Sequence, residues 1–494
     1  MLPEAASNIQ ALISQPLVQR VQALVKQAGG QAYLVGGAVR DCLSQHMVSK
    51  DLDFVLLNCQ AANLAKQLAD LEQGHLVPLD WDFGIHRVVF DNGFVVDLAD
   101  ALENDLQTDL ARRDLTVNAI ALDLETGSPI APHHGLDDLQ AKRIRMISEA
   151  NLLEDPLRLL RVFRFAALLP AESIDADTLA VVRQHADAIW QAAGERIQYE
   201  LFRFLSADHC FPYLKLMADN RLLEVLLPDL TPMRKIHSSG FHHLGLFDHT
   251  LELVRQAERW FPELPTKTRE WLQQPFNPAV TRFGLVKLAC LLHDIGKPAT
   301  MGTKEDPVYG QRLTFYGHEE VGEKMAEPLL RRFKVSNDVM AYVKKLIRWH
   351  LYPCQFGPES PRKSVLRFYR RMGEETPDVT VLALADRHSA TGPWLQPGEL
   401  EKAHAAHIWL LENYEAESET LQIPRLLNGK TIMELLNLGP GPHLKTLLDA
   451  LQEAQQLGVI SNPDEAKDWL LSHWQTLLSE PKSTPEACCP CDKP

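Results

Sequence analysis

The sequence predicts an α+β chain, with a small mixed-sheet head followed by an all-helical remainder. Three observations predict it. Short apolar runs end on Gly36-Gly37 and enclose Asp51 and Asp53, which stand one residue apart. The segments Phe83–Phe90 and Gly93–Leu98 flank Asp91-Asn92-Gly93, and Asn-Gly between β-branched runs is a strong hairpin signal. The second half then carries His and Asp residues in series, spaced as though they came from neighbouring helices.

In chain order, residues 9–29 have apolar positions at helical spacing (Ile9, Leu12, Ile13, Leu17, Val21, Leu24 and Val25) and predict one helix. Tyr33–Val35 reads as a strand running into Gly36-Gly37, where the missing side chains let a phosphate approach backbone amides. Residues i and i+2 of a strand share a face. Asp51 and Asp53 therefore project side by side, and a divalent cation between them relieves their repulsion. Two carboxylates plus substrate phosphates is the usual way to hold Mg2+. The bland alternative is a loop with incidental aspartates. Ala61–Leu71 predicts a helix, and Phe94–Asp97 a strand that brings Asp97 to the same sheet edge.

The chain has 494 residues, enough for several domains, and its 45% hydrophobic content is ordinary for a soluble protein. No basic-plus-apolar leader and no long apolar run point to export or a membrane, and eight cysteines, three of them crowded in the tail, do not make a disulfide scaffold. A cytoplasmic protein without membrane partners is expected. The net charge of -15 argues against general nucleic-acid affinity and leaves room only for a local basic patch.

GGAVRD followed by DLD resembles the opening signature of the polymerase-beta-like nucleotidyltransferases that build the 3′ end of tRNA, together with bacterial poly(A) polymerase. The resemblance implies that Asp51 and Asp53 hold Mg2+, that Asp97 is the third carboxylate, and that Gly36, Gly37 and Arg40 contact nucleotide. DLARRDLTVNAIALD (109–123), read from its residues as a charged start to an apolar helix-like run, resembles the second motif. That match places Arg112, Arg113, Asp114 and Asn118 at the nucleotide, with Thr116 in the pattern. GLDDLQAKRIRMI (135–147) resembles a hinge-like connector. EDPLRLLRVFRFAA (154–167) opens a helix near Pro156, with Asp155 and Arg158 on one face. A surface salt bridge is the bland reading of that pair. The resemblance makes Asp155 and Arg158 a protein template for the base edge of CTP or ATP, and adds Arg161 and Arg164 to the nucleotide site. AAGERIQYELFRFL (192–205) resembles a bracing helix, with Glu195, Arg196 and Glu200 as support.

The series His249, His293-Asp294, His318, His350 and Asp386 is a mixed imidazole–carboxylate set, which suits Mn, Fe, Co, Ni or Zn better than Mg. It resembles an HD phosphohydrolase domain, in which a metal-activated water attacks a phosphoester. Lys297 is then a candidate phosphate contact. Lys344, Lys345, Arg348, Arg362, Lys363, Arg367, Arg370 and Arg371, with Phe368 and Tyr369 interleaved, suit either tRNA backbone or a salt-bridged surface. Gly439-Pro440-Gly441-Pro442 separates two helices, and the second helix N-terminus can approach phosphate. Cys488, Cys489 and Cys491 close a Pro- and Ser-rich tail, expected to lack order.

The implied division is an N-terminal helix (1–30), the head (31–148), a helical neck and RNA-binding region (149–235), the HD metal-binding domain (236–395), a helical C-terminal region (396–478) and the tail (479–494). One departure from the resembled family bears on specificity. Only fourteen residues separate Asp97 from Arg112, and the stretch is acidic, where members that add CCA or the last A carry a longer flexible loop. The expected activity is template-independent addition of CC, or the full CCA, to tRNA from CTP and ATP with release of pyrophosphate. A CC-adding form implies a separate A-adding partner enzyme. The alternatives are HD-type phosphoester hydrolysis as the main activity, poly(A) synthesis or A addition, and a non-catalytic RNA-binding protein.

Overall fold

The structure is a computed structural model that describes residues 3–44, 50–80, 84–237, 240, 243–308 and 310–479. The Cys-rich tail and Phe83 lie outside these residues. The chain forms two compact units, Met1–Leu226 and Leu227–Pro494.

The first unit is built on a seven-stranded mixed sheet of β1 (Gln31–Val35), β2 (Asp51–Leu57), β3 (His75–Asp80), β4 (Ile85–Val89), β5 (Val95–Asp100), β6 (Ala121–Asp123) and β7 (Pro129–Ile130), in the order β3-β4-β5-β2-β1-β6-β7. Neighbours run antiparallel except β2 and β5, which are parallel. The expected hairpin is β4–β5, with Gly93 at φ 81 in its turn. One face packs on Leu24, Val25, Leu64 and Leu68 from helices Pro16–Gln27 and Ala61–Glu72, against Leu34, Phe54 and Val96 of the strands. The opposite face carries a smaller core of Val35, Val55, Leu106, Leu110 and Ala121, and Asp53 and Asp97 stand on that same face.

Three expectations change. Residues 9–29 are two helices, Pro3–Ile13 and Pro16–Gln27, because Pro16 lacks an N–H and takes the first-turn position of a new helix. The run after Arg113 is a single 3-10 helical turn, Thr116–Asn118, then β6, so Asn118 lies in no α-helix. Asp155 stands in extended backbone (φ -132, ψ 101) ahead of the helix Arg158–Leu168, so it does not share a helical face with Arg158. Pro156 explains this, since it disfavours helical backbone in the residue before it. The connector 135–147 is ordered. Helix Gly135–Gln140 holds buried Asp138, which accepts from Thr116 Oγ1 (2.8 Å) and Arg145 (3.0 Å), and Arg143–Ile144 pairs with Ser173–Ile174.

Among its described residues the second unit is helical apart from two small hairpins, Pro275–Asn277 with Val280–Thr281 and Gly302–Asp306 with Gly310–Thr314. Its helices Leu246–Trp260, Arg282–Leu292, His318–Arg332, Asn337–Trp349 and Thr376–Ser389 pack about one centre. The last helices, Gly429–Leu436, Pro442–Gln456 and Pro463–Ser479, enclose a separate small core of Ile432, Leu447, Leu451 and Leu470. Among the described residues no helix is long and apolar enough to cross a membrane, and Cys42, Cys59, Cys210, Cys290 and Cys354 are not in disulfides.

Candidate active site and metal centre

β1 delivers Gly36 at φ 70, and a Cβ there would stand 3.0 Å from Asp53 Oδ2 and 3.5 Å from Arg113 Nη1. Glycine is required twice, for the turn and for the space above Asp53. Asp51 is exposed at the start of β2 and Asp53 is its neighbour on the same face. The parallel register sets Asp97 of β5 directly beside Asp53. Burial, then Asp97 and Asp51, push the Asp53 carboxyl up to about 6 against the pull of Arg113 and Arg87. A carboxylate so crowded and desolvated is a fit donor for a cation, and the lack of a side chain at Gly36 keeps its Oδ2 uncovered on that side. The gathering is incomplete, however. Asp97 is held by Arg87 through both oxygens (2.8 and 2.7 Å), and the three carboxylates do not form a set with ligand atoms within 4.8 Å.

The arginine motif is a linked polar network. Buried Asp109 accepts from Arg112 (2.8 Å) and pairs with Arg113 (3.4 Å). Asp114 accepts from Asn118 (3.0 Å) and Arg161 (2.7 Å); burial raises its carboxyl, but Arg161 and the hydrogen bonds outweigh that and hold it below the usual range. Glu200 pairs with Arg164 (2.6 Å) and lies 3.7 Å from Arg161, the supporting part expected of it. Phe165 sits under the guanidinium groups of Arg40, Arg161 and Arg164 at 5.0, 5.1 and 4.3 Å from its centroid.

Several expected nucleotide contacts are engaged elsewhere. Arg40 is buried and donates to Asn118 Oδ1 (2.7 Å) and Asp41 (2.7 Å). Arg158 donates to the Asn151 and Arg112 carbonyls (2.7 and 3.2 Å), and Asp155 pairs with Arg196 (2.6 Å). The proposed base-reading pair is therefore not a pair here. Arg87 and Asp109 were not expected at the site. Asp109 had a readable signal, being three and four residues before Arg112 and Arg113.

In the second unit all six expected ligands converge. His249, His293 and Asp294 form one group with ligand atoms within 4.8 Å; His293, His350 and Asp386 form a second; Asp294, His318 and His350 form a third. His293-Asp294 follow the helix Arg282–Leu292, His318 opens one helix, His350 closes another, and His249 and Asp386 lie within theirs. Nδ1 of His293, His318 and His350 each meets the backbone carbonyl three residues earlier, at 2.9, 2.7 and 2.8 Å. That contact fixes the tautomer and turns each Nε2 lone pair inward. Nε2 of His318 and His350 face each other at 3.4 Å. Burial, then His293 and His318, press His350 down to about 3, so it stays neutral. Buried imidazoles that turn Nε2 toward carboxylates fit a metal ion. Lys297 pairs with Asp294 (2.6 Å) beside a cavity lined by Ile236, Leu244, Leu246, Phe315 and His249.

Asp378 ties the ligand-bearing helices together, accepting from Trp271 Nε1 (2.8 Å) and from the Tyr342 hydroxyl, with Arg282 at 4.0 Å. Replacing a fully buried carboxylate of this kind leaves its donors stranded. Asp378→Ala should lower the unfolding free energy by about 3–5 kcal/mol, read as a fall in the denaturant midpoint.

The basic run is a salt-bridged surface. Lys344 pairs with Glu327, Lys345 with Glu375, Arg362 with Glu417, Arg348 with Glu320, and Lys363, Arg367 and Arg370 all with Glu453. Phe368 and Tyr369 are core residues, and Arg371 stacks over Trp349 (4.9 Å), so the run offers no aromatic platform.

A carboxylate-bearing mixed sheet with a glycine turn, next in sequence to a helical bundle with a histidine–aspartate centre, defines a nucleotidyltransferase head linked to an HD domain. Matches to family profiles agree: "Poly A polymerase head domain" over 85–145, "Probable RNA and SrmB- binding site of polymerase A" over 173–234 and "HD domain" over 246–391. The chain is 34% identical over 446 residues to an A-adding tRNA nucleotidyltransferase of Deinococcus radiodurans, covering 88% of this chain and 94% of that one. It is 33% identical over 455 residues to a CC-adding tRNA nucleotidyltransferase of Thermus thermophilus, covering 90% and 94%. The fold resembles the Thermotoga maritima CCA-adding enzyme complexed with tRNA (TM-score 0.61, 18% identity, 94% of this chain and 98% of that one). It also resembles a CCA-adding enzyme solved with ATP (TM-score 0.63, 19% identity, 97% and 98%). The chain belongs to the bacterial tRNA nucleotidyltransferase family.

Proposed function

We propose that the chain adds two cytidylates from CTP to the 3′ end of tRNA, releasing pyrophosphate, and leaves the terminal A to a separate enzyme. The observation that carries this reading is the segment after β5. It folds as a turn, Leu102–Asn104, and a helix, Leu106–Ala111, whose first turn is capped by Asp105 on the Thr108 N–H (2.8 Å). Asn58 and Asn104 exchange two hydrogen bonds of 2.7 Å, and the Ala101 N–H donates to the Leu56 carbonyl (2.8 Å). With Asn151 also donating to the Ala111 carbonyl (2.6 Å), the segment is held at both ends and does not supply the moving element that a change from CTP to ATP calls for. Overall identity does not decide the matter, since A-adding and CC-adding relatives are equally similar.

In this reading Asp51 and Asp53, with Asp97, hold Mg2+ in the head. Mg2+ held there lowers the pKa of the RNA 3′ hydroxyl and neutralises the triphosphate. Gly36 and Gly37 leave room for the phosphates, and Arg113, beside that space, offsets charge as pyrophosphate leaves. The network of Asp114, Asn118, Arg161 and Arg164 shapes the floor of the nucleotide pocket. Asp155 and Arg158 reach a base edge only by exchanging their present partners. The six-segment division of the chain, from the N-terminal helix to the tail, is part of the same reading.

Transcripts ending at the discriminator base, after one C and after two Cs would be incubated with Mg2+ and one labelled nucleotide at a time. The expected products stop at CC and ATP is refused. Efficient A addition to the CC-ended transcript sinks the CC-only reading.

The convergence of six ligands favours a second activity, metal-dependent hydrolysis of phosphoesters at RNA ends or on nucleotides. His249, His293, Asp294, His318, His350 and Asp386 hold a transition ion such as Mn, Fe, Co, Ni or Zn, and such an ion brings a bound water's pKa toward neutrality. Lys297 is placed to take up phosphate charge once its hold on Asp294 is exchanged.

A further inference from the structure

Arg87, Asp97 and Asp53 stand in one line across the sheet. Register pairs Arg87 with Asp97 across β4 and β5, and Asp97 with Asp53 across β5 and β2. Directly paired residues project from the same face, so all three side chains share the face that carries the head's chemistry. The guanidinium engages Asp97 as a fork, Nε to Oδ1 at 2.8 Å and Nη2 to Oδ2 at 2.7 Å, taking a hydrogen bond to each oxygen.

A cross-strand ion pair is common in sheets and by itself signals nothing. This one differs because its carboxylate is the third member of the head's aspartate set. The second unit gathers its ligands in threes within 4.8 Å, while Asp51, Asp53 and Asp97 form no such set, and both oxygens of Asp97 are taken by Arg87. The pair is also easy to exchange. The side chains of Arg87 and Asp97 are 37% and 16% exposed, so the fork is not sealed from solvent. A triphosphate offers a planar guanidinium more negative charge and the same two-oxygen geometry.

We propose that Arg87 is a latch. In the nucleotide-free protein it withholds Asp97 from the cation site; when a nucleoside triphosphate arrives, the fork passes to phosphate oxygens and Asp97 becomes a ligand. No covalent bond changes. The latch makes cation and nucleotide binding reciprocal, each tightening the other by the same factor. The head is then kept from loading a full cation set before there is a nucleotide to use it. The inference rests on Asp51, Asp53 and Asp97 being the cation site.

The test is a Mn2+ titration followed by electron paramagnetic resonance, with and without CTP and without RNA. The full chain carries Asp294→Ala to weaken the second unit's cluster, and what that cluster still binds is removed by the subtraction that follows. Head-site binding is the difference between each protein and the same protein with Asp53→Asn, which also subtracts Mn2+ held by CTP alone. With Arg87 present, CTP should tighten head-site Mn2+ by about tenfold, inside the usual range for coupled sites. Arg87→Gln should tighten binding without CTP by about the same factor and bring the CTP effect close to one. Arg87→Lys, which keeps the charge and loses the fork, should move in the same direction and decides the matter if the glutamine variant does not fold. Unchanged or weaker Mn2+ binding in the CTP-free variants overturns the latch, and marks Arg87 as an ordinary strand–strand pair or a support for Asp97. If no Mn2+ binding depends on Asp53 even with CTP, the cation-site reading falls and the latch falls with it.

Discussion

Asp53→Ala should abolish nucleotide addition. The several kcal/mol of charge stabilisation that a cation site supplies corresponds to a rate loss of at least about a thousandfold. The expectation rests on position. Asp53 lies beside Asp51 on its own strand and Asp97 on the next, close to Gly36, which covers it with no side chain, and to Arg113. A burial-raised carboxyl with no cation to balance it is a cost to the fold. The alanine variant should therefore fold at least as well as the parent while losing labelled CTP incorporation. Its transition-metal content should not change, because the histidine–aspartate cluster lies in the other unit. Retention of more than about a tenth of the rate would move the catalytic role elsewhere in the head.

Asp294→Ala is the mirror experiment. Asp294 lies 3.0 Å from His293 Nε2 and 3.2 Å from His318 Nε2, and it belongs to two of the three ligand groups. Losing an outer-shell partner of a metal ligand already costs about 10–100-fold in affinity, so losing a ligand common to two groups should cost at least about a hundredfold. Elemental analysis after dialysis should find the variant depleted of transition metal, and any phosphoester hydrolysis should vanish with it. Nucleotide addition should persist. If either variant loses both activities, the two units do not house separate chemistries.

Much of this was legible in the sequence, and the exceptions have a common cause. Asp51 and Asp53 could be placed because strand periodicity is local. The six ligands of the second unit could be placed because each sits in a short run whose helix is readable by itself. The free and the spent cations could not be told apart. Arg40 meets Asn118, 78 residues on. Arg367 meets Glu453, 86 residues on, and the same glutamate takes Lys363 and Arg370. A basic run looks like an RNA surface until its acidic partners fold onto it, and those partners are distant in sequence. Asp155 is a different case. Pro156 follows it, so its place outside the helix could be read locally, whereas its pairing with Arg196 on another helix could not.

The way the three histidines are anchored bears on how the second centre can change over generations. Many metal sites orient a histidine through a neighbouring side chain, and drift at that neighbour erodes or retunes the site in single steps. Here the orienting groups for His293, His318 and His350 are main-chain oxygens three residues earlier, those of Cys290 and Ile347 in the preceding helical turn and that of Phe315 in the turn that leads into the helix. Any amino acid supplies that oxygen, so substitutions at those three positions leave the anchoring intact while the turn holds. The centre is thus buffered against gradual loss at these anchors. A lineage that abandons it does so by replacing a ligand outright, and such a loss is visible in the sequence as a missing histidine or aspartate.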